Sequence, residues 1–206
     1  MSAMRSTVFL VDDDASVRKA LTRLIGSAGY EVKAFASARD FLFEPVNGTP
    51  ACLVLDIRMP GLTGMDLQRE LNEASAILPI IFITGHGDIP TSVRAMKAGA
   101  ADFLPKPVKE KDLLKAIEQA LARYARERTE RNEREDIQSR LDSLTPRERE
   151  VLEHLVAGQL NKQVAYDLGT VEKTIKVHRA RIMSKMGVDS LAQLVHLADR
   201  VGIGKT

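Results

Sequence analysis

Apolar and polar positions follow two different periods along this chain, and the balance between them changes at about residue 110. Through the first part, short apolar runs alternate with stretches in which apolar residues recur every three or four positions. The runs TVFLV (7–11), YEVKAF (30–35), ACLVL (51–55), PIIFI (79–83) and AADFL (100–104) are bounded by turn residues and predict strands. Between them, Val17, Leu21, Leu24, Ile25 and Ala28 mark a helix that Gly29 is placed to end. Further helices are expected at about 37–43, 64–74 and 89–98. Five strands alternating with helices predict a parallel sheet covered on both faces, an open α/β sandwich. In such sheets ligands bind beyond the carboxyl ends of the strands.

From Glu110 a helix begins with Leu114, Ile117, Leu121 and Tyr124 on one side, then enters RERTERNERED (126–136), which is nearly all charge. Glu127 with Arg131 and Glu130 with Arg134 stand at i,i+4 spacing, so a solvated helical linker is expected. The chain restarts at LTPRERE, where Thr145 can cap a helix, Pro146 fits its first position and Glu148 completes a capping box. Val151, Leu152, Leu155 and Val156 form its apolar stripe. Three more helices are expected at 161–168, about 171–186 and about 190–200, punctuated by Gly169 and Gly187. The expected domains are therefore 1–122, a charged linker at 123–141, and a small all-α domain of four helices at 142–206.

Composition narrows the class. At 44% hydrophobic and 28% charged, the chain reads as an ordinary globular protein. It has no 18-residue apolar run, and Met1–Ser6 lacks the apolar core of a secretory signal, so no membrane segment is expected. One cysteine, Cys52, excludes an internal disulfide and suits a reducing, cytoplasmic setting. The net charge of +2 is spread thinly, with 14 Lys and Arg against 15 Asp and Glu in residues 1–122 and 10 against 8 in residues 142–206. No part is basic enough to declare nucleic-acid binding by charge alone.

Candidate chemistry gathers at the strand ends. The first strand ends in Asp12, Asp13 and Asp14, and the third ends in Asp56. Alone, each is an ordinary turn or helix cap. On neighbouring parallel strands they share one sheet edge, and carboxylates gathered there repel unless a cation joins them. Mg²⁺, a hard ion that takes carboxylate, water and phosphate oxygens, suits such a set. Thr84 ends the fourth strand with a hydroxyl for an oxyanion. Lys106, in FLPKP after the fifth, offers a point charge for phosphate oxygens, and the following Pro107 makes a cis bond plausible as a means of aiming it.

VDDD, LDIRMPG, ITGHGD and FLPKP together resemble the receiver domain of bacterial two-component response regulators, a flavodoxin-like fold, over about residues 5–122. The resemblance implies that Asp56 is the phosphoacceptor for a sensor histidine kinase. It implies Mg²⁺ ligation by Asp13, Asp56 and the backbone carbonyl of Arg58, with Asp12 acting through water. Thr84 and Lys106 would hold the phosphoryl oxygens, and Phe103 takes the place of the switch aromatic, a tyrosine in many relatives. The TGHGD form is similar to the FixJ subgroup. Asp14 matches no essential family position.

In the C-terminal domain, Val171, Ile175, Ile182 and Met186 fall on one helix face and are expected to pack inward. The window 173–185 carries Lys173, Lys176, Arg179, Arg181 and Lys185 with no acid. A short helix, a turn at Gly169 and this basic helix read as a helix-turn-helix, its second helix entering the major groove. TPREREVL, GQLNKQVAYDLG and TIKVHRARIMSKM resemble the LuxR-type DNA-binding domain over about 142–203. By that resemblance Lys176 and Val177 face base edges in promoter DNA, while Lys162, Lys173, Arg179 and Lys185 are candidate phosphate contacts. The four histidines, 86, 154, 178 and 196, form no recognisable metal set.

The expectation is thus a transcriptional response regulator of the FixJ/NarL family, not an enzyme. Phosphorylation would favour a homodimer and promoter binding, with RNA polymerase as a candidate partner. Two other readings stand beside it. A receiver that serves only as a dimerisation module would leave DNA binding independent of phosphate. A phosphatase of the haloacid-dehalogenase kind would use Asp12 as nucleophile, with Asp102 as the available late-strand acid.

Overall fold

The structure is a computed structural model that describes residues 6–46, 49–85 and 89–203, so the expected His86 lies outside the described residues. Contacts divide the chain into two compact units, meeting between Arg128 and Thr129.

The first unit is built on strands β1 (Thr7–Val11), β2 (Glu31–Phe35), β3 (Ala51–Asp56), β4 (Ile80–Thr84) and β5 (Asp102–Pro105). They form one parallel sheet in the order β2-β1-β3-β4-β5. Helices α1 (Ala15–Ser27), α2 (Ala38–Leu42), α3 (Gly64–Glu73), α4 (Ile89–Lys97) and α5 (Glu110–Asp142) cover it. Strand alternation assigns the faces. Phe9, Val11, Leu53, Leu55 and Phe82 pack with residues of α2, α3 and α4, including Phe41, Leu67 and Ala95. Val8, Leu10, Cys52, Val54, Ile81 and Ile83 pack instead with Leu21 and Ile25 of α1 and with Leu113, Ala116 and Ile117 of α5. The inward residue of α5 is thus Leu113, where the sequence favoured Leu114. Burial pushes the Cys52 thiol up to about 12, which keeps it an inert core residue.

Asp14, which matched no family position, has a local task. Its carboxylate accepts from the backbone N–H of Ser16 at 2.7 Å and of Val17 at 3.2 Å and so caps α1.

The second unit holds α6 (Pro146–Val156), α7 (Asn161–Asp167), α8 (Glu172–Met186) and α9 (Leu191–Arg200), together with the last turns of α5. Its core joins Leu152, Leu155, Val164, Ile175, Ile182, Met186 and Leu194. Ile137 and Leu141 belong to that core, each 3% exposed. The segment expected as solvated linker is therefore continuously exposed over 129–136, where Arg131 pairs with Glu135, but buries Tyr124, Ile137 and Leu141 on either side. Val171 also departs from expectation. It is 64% exposed, because it adopts the extended conformation of an N-cap residue and α8 begins after it.

Candidate functional site

The pairing of β1 with β3 sets Val11 opposite Leu55, so the next residues, Asp12 and Asp56, stand side by side at the carboxyl edge of the sheet. This is the point where the strand order reverses direction, the location at which open α/β sheets bind ligands. Asp12 is fully buried, Asp56 is 6% exposed, and Asp13 is exposed. Lys106 reaches across from beyond β5. Its Nζ donates to Asp12 Oδ2 and to Asp56 Oδ2, at 2.6 Å in each case. Its own N–H donates to the Thr84 carbonyl at 2.7 Å, and the Lys106–Pro107 bond is cis. The second oxygen of each carboxylate is held by backbone: Asp12 Oδ1 accepts from the Asp14 N–H at 2.9 Å, and Asp56 Oδ1 from the Arg58 N–H at 3.2 Å.

These contacts set the charge. Burial raises the Asp12 pKa, and the hydrogen bonds from Lys106 and the Asp14 amide offset this only in part. Burial works against charge on Lys106 too, yet its hydrogen bonds to Asp12 and Asp56 prevail and its pKa is raised. The ammonium is therefore firmly protonated.

Among the described residues, carboxylate oxygens of Asp12, Asp13 and Asp56 lie within 4.8 Å of one another. A cluster of hard oxygen donors at this spacing fits a small divalent cation such as Mg²⁺. Thr84, 1% exposed, ends β4 beside them. Phe103, opposite Phe82 in the β4–β5 pairing, is half-buried against the core. Asp102 stands at the other, amino end of β5 and accepts from the Phe103 N–H at 2.8 Å. The acid that a dehalogenase-type phosphatase would need is thus at the wrong edge of the sheet.

One residue of the site escaped the sequence reading. A β-carbon on Gly64 would lie 2.3 Å from the Asp56 carbonyl oxygen. The N-terminus of α3 is pressed against the backbone of Asp56, with the Gly64 N–H donating to the Ile57 carbonyl at 3.0 Å and Thr63 capping the helix. A glycine in a turn-rich stretch such as MPGLTGM carries no sign of that approach.

In the second unit, α7 and α8 form two helices joined by a turn through Gly169, whose φ is +61°. Lys162, Lys173, Lys176 and Val177 are exposed, Arg179 is half-buried, and Lys176 pairs with Glu172 at 3.0 Å. Lys185 does not share their freedom. Its Nζ donates to Glu148 Oε2 at 2.7 Å and to the Ser143 carbonyl at 2.9 Å, which ties α8 to the start of α6 and gives this candidate phosphate contact two partners within the protein. The hydrogen bond from Lys185, helped by the Thr145 amide, lowers the Glu148 pKa to about 2. Among the described residues no histidine joins a metal-binding cluster; His154 Nδ1 lies 2.6 Å from Gln159 Oε1.

Comparison with known proteins matches two families along the chain. Residues 8–118 match the response regulator receiver domain, and residues 142–198 match the bacterial regulatory proteins of the luxR family. Nodulation protein W of Bradyrhizobium diazoefficiens is 45% identical over 98% of this chain and 89% of its own length. Transcriptional regulatory protein FixJ of Rhizobium meliloti is 42% identical over 96% of this chain and 97% of its own. Among solved structures, the response regulator StyR is 51% identical with a TM-score of 0.86, covering 95% of this chain and 99% of that one. Full-length FixJ from B. japonicum is 40% identical with a TM-score of 0.59, covering 97% and 98%.

Proposed function

Because this chain belongs to the response-regulator family, with a receiver domain followed by a luxR-family domain, we propose that it is a two-component transcriptional regulator switched by phosphorylation of Asp56. The observation that carries this reading is the buried pair Asp12 and Asp56 bridged by Lys106 at the carboxyl edge of the sheet. The protein acts as a phosphoryl acceptor and DNA-binding module, not as an enzyme with turnover, and its setting is the cytoplasm. Among the described residues no helix is long and apolar enough to cross a membrane.

A sensor histidine kinase presents a phosphorylated imidazole. A carboxylate oxygen of Asp56 forms a bond to phosphorus as the phosphorus–nitrogen bond breaks, and the imidazole leaves with the electron pair. Asp12, Asp13, Asp56 and the Arg58 carbonyl would hold Mg²⁺, which when bound screens the phosphoryl oxygens from the surrounding carboxylates. Lys106 exchanges its hydrogen bond to Asp56 for one to a phosphoryl oxygen, keeping a cation on the growing negative charge. Thr84 donates its hydroxyl to another, and Phe103 turns into the space that Thr84 leaves. Receivers in this state pair as a homodimer, which brings two α8 helices to promoter half-sites about one helical turn apart. Lys176 and Val177 face base edges, and Lys162, Lys173 and Arg179 hold phosphates. RNA polymerase is the partner such a promoter complex would meet.

Intact mass after incubation with Mg²⁺ and acetyl phosphate tests the acceptor. The wild type should gain one phosphoryl group, about 80 Da, and Asp56→Asn none. If a phosphorylated histidine kinase also leaves the wild-type mass unchanged, the phosphorylation reading fails and a phosphate-independent regulator takes its place.

A further inference from the structure

The carbonyls that end a helix have no partner within it, and the last turn of α8 shows where one of them goes. Arg140, in the final turn of α5, donates from Nη1 to the Met186 carbonyl at 2.8 Å. Its Nη2 lies 2.8 Å from Asp136 Oδ2, one turn back on α5, so the guanidinium is held from both sides. A positive group here also favours the negative end of the helix dipole. The next residue, Gly187, has a φ of +65°, and a β-carbon there would come 2.7 Å from Arg140 Nη1. One position before Met186, Lys185 is fixed to Glu148 and to the Ser143 carbonyl. All of these residues belong to the second compact unit. The C-terminal end of α8 is thus gripped by the corner where α5 passes into α6.

We infer that Arg140 is a positioning residue for DNA recognition, setting the angle at which α8 presents Lys176 and Val177. This rests on the DNA-binding reading above and adds to it a residue outside the segment that matches the luxR family, which begins at 142. The leverage is geometric. Met186 lies ten residues beyond Lys176, about 15 Å along the helix, so a tilt of about 6° at the clamp moves Lys176 by about 1.5 Å. That displacement removes a base-edge hydrogen bond while leaving general attraction to phosphate intact.

The test uses the full chain with Mg²⁺ and acetyl phosphate and two probes: a duplex that the wild type selects from a random library, and a scrambled duplex of the same composition. Arg140→Ala should lower affinity for the selected duplex about tenfold and leave the scrambled duplex unchanged. Arg140→Lys, which keeps a donor within reach of the Met186 carbonyl, should recover part of the loss. Arg140→Gln carries the same test should the alanine variant not fold. A purely structural role would reduce the folded fraction and lower both affinities by one factor. A direct phosphate contact would do the same and also reduce the salt dependence. Either of those results, or no change on either duplex, overturns the positioning role. If the wild type selects no duplex, the DNA-binding reading itself has failed, and this inference with it.

Discussion

The β-carbon that Gly64 lacks would sit 2.3 Å from the Asp56 carbonyl oxygen, and a backbone atom cannot retreat as a side chain can. Gly64→Ala should therefore displace the start of α3 or the backbone that carries Asp56, the proposed acceptor. We expect a loss of about 1–3 kcal/mol in receiver stability together with slower phosphoryl gain at Asp56. Thermal unfolding and a time course of intact mass check the two effects, and a variant with both unchanged would remove Gly64 from the site. The other residues of the site were legible because each stands at a strand end: Asp12, Asp56, Thr84 and Lys106 follow runs whose apolar pattern marks them as strands. Gly64 was not, because glycine in a turn and glycine under a close approach look alike in one dimension. The ties that Lys185 makes were hidden for a related reason. It shares a basic helix with Lys173 and Lys176, and its partner Glu148 lies 37 residues away in sequence.

Glu148 illustrates what an element's first turn can do beyond capping itself. It closes the capping box of α6 with Thr145 and, from the same buried carboxylate, holds Lys185 of α8. Its pKa falls from an ordinary 4.5 to about 2, chiefly through Lys185. A depressed carboxylate stabilises the fold fully above its unfolded value, and that contribution disappears as pH drops through the folded one. The second unit should therefore lose up to about 3 kcal/mol between about pH 5 and pH 2 from this group. Glu148→Gln should be destabilised at neutral pH and show a flatter stability profile across that window, measured by denaturant unfolding at each pH. Parallel profiles for the two proteins would count against the assignment. The capping box was readable from TPRE alone, and so were the helices and strands of both units to within a few residues. The buried role of α5's last turns was not. Ile137 and Leu141 are spaced as i,i+4, but two apolar residues amid charge become a stripe only when α6, α8 and α9 supply a surface to cover them.

At the scale of the whole molecule, the boundary between compact units falls inside a helix, after Arg128, and 13 residues before the luxR-family match begins at 142. A fragment beginning at 142 would lack Ile137, Leu141 and Arg140. Removing two buried aliphatic side chains costs on the order of 4–8 kcal/mol, comparable to the whole stability of a small domain. A fragment of residues 129–206 should unfold cooperatively, whereas 142–206 should melt at least about 10 °C lower or show no transition. Equal melting temperatures, followed by circular dichroism, would show that the α5 turns contribute nothing to that core. The sheet carries a different consequence. Asp12 and Asp56 sit side by side on β1 and β3, but the lysine that joins them comes 94 residues after Asp12. During synthesis both carboxylates leave the ribosome well before their cation does, and a nascent chain that stops short of residue 106 lacks a member of the site. A chain still being translated is therefore a poor phosphoryl acceptor until β5 has docked, and a kinase meeting it earlier has no finished site to charge.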